Sequence, residues 1–291
     1  MSLIETFRVG DLTCHTIDAG GFRLDGGAMF GVVPKPLWER RTAADDRNRI
    51  QMTMRCVLID HPDGPVLIDT GAGNKEPAKF RDIYSLENQG AAGRTRLEDG
   101  LAELGVRPEE VTWVINTHLH FDHAGGNTFV EAPDGAPRIA FPNARHVVQR
   151  GELEFGGRPN ERIAASYLTR NYDAVTQAGA WTLLEGPAQV LPGIRALHTP
   201  GHTPHHQSIV IEDRGEVACF LADLIPTTAH LPLPWIMGYD LEPLVTLESK
   251  RELLAMAWEE QWLLIFEHDA HTGMGRLAGD GKKYELVPAE G

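Results

Sequence analysis

Apolar residues fall in short unbroken runs and alternating stretches along most of the chain, the patterns of fully buried and half-buried strands. They predict strands over 7–17, 53–60 and 65–69. The last two should form a hairpin, because His61-Pro62-Asp63-Gly64 carries the Asp-Gly pair of a tight turn. The rhythm then changes: Leu97, Leu101 and Leu104 recur at helical spacing over 94–104, and Gly105 stops the helix. A buried strand follows at 111–116, with further strands at 145–148, 194–198, 208–211 and 217–221, the last two flanking the turn Glu212-Asp213-Arg214-Gly215. A long helix over 244–258 and a strand at 262–266 complete the regular part.

Strands supplied by both halves, with helices in each, predict an α/β protein of two packed sheets with helices on the outer faces. No Gly/Ser linker, charge block or low-complexity run divides the chain, so one domain over 1–291 is expected. Two stretches break the pattern, 20–49 and 225–243, the second with Pro226, Pro232, Pro234 and Pro243. Irregular segments of that length inside a domain tend to be lids or partner surfaces. Both carry large apolar side chains, Met29, Phe30 and Trp38 in one and Trp235, Ile236 and Met237 in the other.

Composition narrows the chemistry. With 42% hydrophobic and 23% charged residues, disorder, collagen and coiled coil are excluded. A net charge of −14 argues against a nucleic-acid backbone or an anionic membrane as partner. Cys14, Cys56 and Cys219 lie far apart and form no C-x-x-C pair, which fits thiols in a reducing compartment. Without a signal-like or membrane-spanning apolar run, the expected location is the cytoplasm.

The decisive segment follows the strand at 111–116. Thr117-His118-Leu119-His120-Phe121-Asp122-His123-Ala124-Gly125-Gly126 places four potential metal ligands within six residues. Buried imidazoles and a carboxylate crowded at a strand end go unsatisfied without a cation, whereas a divalent metal binds them directly. Alternation puts His118 and His120 on one side, and the turn lets Asp122 and His123 reach a second point, so the spacing asks for two metals. His202, Asp223 and His268 each stand just after another apolar run and complete two ligand shells. The histidines at 15, 61, 146, 198, 205, 206, 230 and 271 are read as structural residues, supports behind the ligands or surface residues.

His118-Leu-His-Phe-Asp-His123 resembles the H-x-H-x-D-H motif of the metallo-β-lactamase superfamily of hydrolases. Asp69-Thr-Gly, Thr-Pro-Gly-His202, Asp223 and Phe-Glu-His268-Asp269 resemble its other motifs, in order, over about residues 53–272. The resemblance implies an αββα sandwich. It implies that His118, His120 and His202 hold one metal, that Asp122, His123 and His268 hold the other, and that Asp223 bridges them. Asp69 would orient the site from behind the ligands, although a turn cap reads equally well from the residues alone.

Two cations close together would acidify a shared water to give a hydroxide nucleophile and polarise a carbonyl or phosphoryl oxygen. Asp122 would orient that hydroxide and pass its proton to the leaving group. The ligand set accepts Zn, Mn, Fe, Co or Ni, with zinc the default. Around the ligands the chain is similar to quorum-quenching lactonases, which hydrolyse N-acyl homoserine lactones, and to methyl-parathion-hydrolase-like phosphotriesterases. The best-known lactonases carry a tyrosine three residues after the bridging aspartate, where this chain has Pro226. The expectation is therefore a lactonase or esterase acting on a small molecule, with phosphotriesterase side activity. Phe121, Met29, Phe30 and Trp235 would line an apolar wall for the substrate. The rivals are a β-lactamase, a glyoxalase II-type thioesterase and a non-catalytic metal- or effector-binding protein. The apolar residues of 20–49 also suggest a homodimer.

Overall fold

The structure, a computed structural model, describes residues 3–132, 135–281 and 283–289. Its contacts divide into two units, one built from 12–21, 54–185 and the N-terminal residues up to 8, the other from 9–11, 22–53 and the residues from 186 onward.

The first unit carries a seven-stranded mixed sheet in the order Ile4–Val9, Leu12–Asp25, Arg49–Ile59, Val66–Ile68, Trp113–Ile115, Arg145–Gln149, Trp181–Leu184. Its second and third strands run on into the second unit. Arg49–Ile59 and Val66–Ile68 form the antiparallel hairpin expected from the Asp-Gly turn. From Val66–Ile68 onward the pairing is parallel, which requires crossover segments and aims the carboxyl ends of successive strands at one edge. One crossover is the helix Arg96–Glu103, capped by Thr95, whose hydroxyl accepts from the Glu98 N–H at 3.3 Å. It buries Leu97 and Leu101, so Leu101→Ala should cost about 2–5 kcal/mol.

The second unit carries a seven-stranded sheet in the order Ala188–Leu191, Ile194–His198, Gln207–Asp213, Glu216–Phe220, Leu263–Ile265, Met274–Gly279, Tyr284–Pro288. Its neighbours are antiparallel except Glu216–Phe220 with Leu263–Ile265. That parallel pair is bridged by the long helix Pro243–Glu259, with proline in its first turn, where no intrahelical N–H is needed. Leu253, Leu254 and Ala257 of the helix join Cys219, Trp262 and Phe266 in a core cluster. The ends of Ile194–His198, Glu216–Phe220 and Leu263–Ile265 therefore lie at one edge, and each is followed by one expected metal ligand.

Two expectations are corrected. The strand expected over 7–17 is two strands, Ile4–Val9 and Leu12–Asp25. They turn at Gly10, whose φ of 57° suits glycine, and the Asp11 N–H is taken up by Asp213 Oδ2 at 2.7 Å. The irregular segment 20–49 begins as strand, because Gly21 exchanges two backbone hydrogen bonds with Glu87, of 3.1 and 2.8 Å. Two glycines hid that strand from a reading based on side chains. Past it, Asp25 caps the short helix Gly26–Phe30 by accepting from the Ala28 N–H at 2.9 Å. The strands Trp181–Leu184, Ala188–Leu191, Met274–Gly279 and Tyr284–Pro288 were not anticipated. No helix among the described residues is long and apolar enough to cross a membrane.

Candidate metal centre

In the first unit the strand Trp113–Ile115 delivers Asn116, Thr117 and His118 into a turn, and Phe121–Ala124 forms one helical turn carrying Asp122 and His123. His118, His120, Asp122 and His123 are all buried. The His118 ring lies 4.5 Å from that of His120 and 3.9 Å from that of His123, centroid to centroid.

Asp69 holds this turn. It is fully buried just past Val66–Ile68, in a left-handed conformation at φ 53° that aspartate tolerates better than most residues. Its Oδ1 accepts from the Thr117 N–H at 2.8 Å, and its Oδ2 from the Thr117 hydroxyl at 2.6 Å and from His123 Nδ1 at 3.1 Å. Because the Thr117 hydroxyl donates to Asp69, its oxygen is left to accept from His118 Nδ1, 3.1 Å away. Both imidazoles are thereby held with a proton on Nδ1, so that Nε2 is the atom each can offer to a cation. Asp69 thus backs the ligand turn rather than serving as a simple turn cap. Gly126 completes the turn, since a Cβ there would strike the Thr70 carbonyl.

His120 packs edge-on against Tyr167 at 4.6 Å, whose hydroxyl donates to Glu152 at 2.6 Å. Phe121 is buried against Phe80 and Tyr84 at 4.9 and 5.0 Å. Burial, with the charges of Asp122 and Glu76, raises the Tyr84 pKa and keeps the phenol protonated.

In the second unit the three strand ends bring His202, Asp223 and His268 together. Asp223 Oδ2 lies 2.9 Å from His202 Nε2, and Oδ1 lies 3.0 Å from His268 Nε2. The outer nitrogens are committed elsewhere: His268 Nδ1 donates to the Thr53 carbonyl at 2.8 Å, and His202 Nδ1 to Asp240 at 2.9 Å. A carbonyl only accepts, so His268 presents a lone pair at Nε2 unless it is doubly protonated. A lone pair and a carboxylate oxygen meet favourably only through a shared proton or a shared cation. Burial works against charge on His202, but Asp223 and Asp240 outweigh it and push its pKa up to about 10 when a proton fills that place. Each oxygen of Asp223 faces a different imidazole, the donor arrangement of a carboxylate shared by two cations.

Asp223 is itself fixed. Ala222 before it is left-handed at φ 47°, a strained conformation for alanine. The Asp223 N–H donates to His206 Nε2 at 3.2 Å, while His206 Nδ1 donates to the Thr199 carbonyl at 3.1 Å.

The expected apolar wall splits between the units. Met29, Phe30 and Trp235 come together in the second. Phe30 is fully buried, stacked on Trp38 at 5.1 Å and on His230 at 4.5 Å, with Trp235 edge-on at 5.8 Å. The Met29 carbonyl accepts from His230 Nε2 at 2.8 Å, and Gly238 donates to the Ala28 carbonyl at 2.8 Å. The two irregular segments therefore pack on each other. Trp235 is half-buried under the Arg41 guanidinium, 4.6 Å from the ring. Asp240 and Lys250 carry no expectation from the sequence, while His206 and His230 are among the histidines expected in structural or supporting places. His206 had a sequence cue in Thr-Pro-His-His, and Asp240 had none.

The metallo-beta-lactamase superfamily model matches residues 55–268. The chain belongs to that superfamily. It is a hydrolase of the metallo-β-lactamase fold, similar to N-acyl homoserine lactonases. A lactonase of that name from Bacillus sp is 32% identical over 237 residues, covering 78% of this chain and 85% of the relative. A probable metal-dependent hydrolase from Staphylococcus aureus superposes with a TM-score of 0.88 at 31% identity, over 98% of this chain and 99% of that one. AidC, a dizinc quorum-quenching lactonase, superposes with a TM-score of 0.79 at 18% identity, over 99% and 97%, a likeness of fold.

Proposed function

We propose that the chain is a two-metal lactonase acting on N-acyl homoserine lactones, its two units working as one domain. The observation that carries the substrate class is the 32% identity to a lactonase of which 85% is covered. The buried His and Asp donors of both units fit divalent cations. In this reading His118, His120 and His202 hold one cation, Asp122, His123 and His268 hold the other, and Asp223 is shared. Zinc is the proposed metal. When bound, the cations supply Lewis acidity, making water acidic near neutral pH and drawing electron density from a carbonyl oxygen.

The chain's own groups do the rest. Asp69, Thr117 and Asp240 take up the Nδ1 atoms of His123, His118 and His202, which leaves Nε2 as the coordinating atom of each. Asp122 accepts the proton of the attacking water and delivers it to the ring oxygen that leaves as the lactone opens. Phe121, with Phe80 and Tyr84, offers an apolar face for the acyl chain, and Trp235 a second one on the long segment. At position 226, where the best-known lactonases carry tyrosine, Pro226 offers only its carbonyl, which accepts from the His268 N–H at 2.9 Å. Substrate placement in this chain therefore rests on other groups.

The test is a rate panel of γ- and δ-lactones, acyl-homoserine lactones, aryl esters, phosphotriesters, nitrocefin and S-lactoylglutathione. Highest kcat/KM on acyl-homoserine lactones is expected, with phosphotriesters turned over slowly. Preference for nitrocefin or the thioester would overturn the substrate and leave the metals untouched. The exposed side chains of Val32 and Leu37 support a homodimer, and a monomer by light scattering at micromolar concentration would refute it.

A further inference from the structure

The outer nitrogens of His118, His123, His202 and His268 fall into two classes. His118 leans on the Thr117 hydroxyl and His268 on the Thr53 carbonyl, both neutral groups. His123 and His202 lean instead on buried carboxylates, Asp69 at 3.1 Å and Asp240 at 2.9 Å. Each unit thus backs one of these four ligand histidines with a carboxylate. In the proposed assignment these two histidines serve different cations.

Asp240 is placed for this by more than its contact with His202. It is 4% exposed, so a carboxylate there needs a donor to hold it. That donor is His202 Nδ1, at 2.9 Å. The backbone on either side of it is stitched to the ligand turn: Leu241 N–H donates to the His202 carbonyl at 3.2 Å, and Glu242 N–H to the Gly201 carbonyl at 2.9 Å. Gly201, at φ 134°, lies so close to Thr246 that a Cβ would collide with the backbone there.

The same segment is anchored at its other end. Lys250, fully buried on the helix Pro243–Glu259, donates to the carbonyls of His230, Pro232 and Trp235, the last two at 2.7 and 3.0 Å. The stretch from His230 to Asp240 is therefore tied at both ends to one helix. Asp240 sits where that helix meets the His202 turn.

We propose that Asp240 is the positioning residue of His202: it fixes the ring with Nδ1 protonated, makes Nε2 a stronger donor, and so strengthens binding of one of the two cations. This rests on the two-metal reading above. It adds a residue from the irregular segment, outside the histidine and aspartate motifs, and makes metal affinity depend on the order of that segment. A buried carboxylate behind a coordinating imidazole changes metal affinity about 10- to 100-fold.

The experiment is zinc competition against a graded series of chelators, with bound zinc counted per chain, on the wild type, Asp240→Asn and Asp240→Ala. The wild type should hold two zinc ions. Asp240→Ala should release one of them to a chelator about 10- to 100-fold weaker while the other is held as before. Asp240→Asn keeps an oxygen that accepts from Nδ1 but loses the charge, so it should fall between. Cobalt substitution gives a second readout, since only one of the two sites should change its visible spectrum. Two zinc ions held with unchanged affinity in folded Asp240→Ala would overturn the proposal. If that variant does not fold, wild-type affinity in Asp240→Asn would overturn it. A wild type that binds no zinc would instead defeat the two-metal reading, and this inference with it.

Discussion

The two units build their metal donors in opposite ways. In the first, four donors stand within six consecutive residues, 118–123, and one buried carboxylate, Asp69, holds the turn through Thr117 and His123. In the second, His202, Asp223 and His268 come from three strand ends, and each is fixed by a different partner: Asp240, His206 and the Thr53 carbonyl. A contiguous turn concentrates its positioning in one residue, whereas scattered ligands need one support apiece. Loss of its support should disturb the first arrangement as a block, whereas loss of any one support should disturb the second only in part.

The largest effect expected is from the residue on which the second arrangement converges. Asp223→Ala removes the carboxylate facing both His202 and His268 and should lower lactone kcat by about 10³-fold or more, the several kcal/mol that a Lewis-acid pair supplies. Bound metal measured by elemental analysis should fall with it, whereas His118→Ala should cost one metal and leave the other. Equal metal loss in the two variants would break the contrast.

Next in size is the packing of the long segments. Phe30→Ala opens a cavity between Trp38 and His230 and should destabilise the protein by about 3–5 kcal/mol in denaturant unfolding. Trp235→Ala, at a half-buried ring, should cost much less stability. It should act instead on KM for long-chain lactones, and unchanged KM across chain lengths would remove Trp235 from the substrate wall.

Acid sharpens the comparison from another side, because each unit buries a histidine outside its donor set whose pKa is pulled down by burial. Burial pulls the pKa of His146 in the first unit and of His230 in the second down to about 4. Below the unfolded value of 6.5 the unfolded chain takes up the proton first. Their contribution is therefore complete above pH 6.5 and is lost as the pH falls towards 4, at about 3 kcal/mol each. Urea unfolding at pH 7, 5 and 4 should show His146→Leu and His230→Phe each flattening part of this slope. A slope equal to that of the wild type in both would refute it.

The smallest effect separates the two supports. Asp69→Asn touches three hydrogen bonds, and Asp240→Asn one to a histidine, so metal affinity should fall further in the first variant, within about 10- to 100-fold for each.

What could be read from the sequence follows the same division. The donors were legible because polar residues that cannot be left unpaired stand directly after apolar runs: Asp69 after Val66–Ile68, His118 after Trp113–Ile115, Asp223 after Glu216–Phe220. The two sheets and the long helix were legible from periodicity. The supports were not, because Asp240 is an ordinary aspartate in a proline-rich stretch, 38 residues from the histidine it holds. The continuation of Leu12–Asp25 through Gly20 and Gly21 was hidden because it is set by backbone pairing with Glu87 and has no side-chain signal. Phe30 was read as a substrate contact from its size and its irregular surroundings. Its stacking between Trp38 and His230 depends on two segments about 200 residues apart packing together.

The most direct test of the central claim is to strip the protein of metal, add zinc in steps and follow hydrolysis of an acyl-homoserine lactone. The account predicts no turnover without metal and a rise that levels off at two zinc ions per chain. Full activity in the stripped protein, or a plateau at one ion, would contradict it.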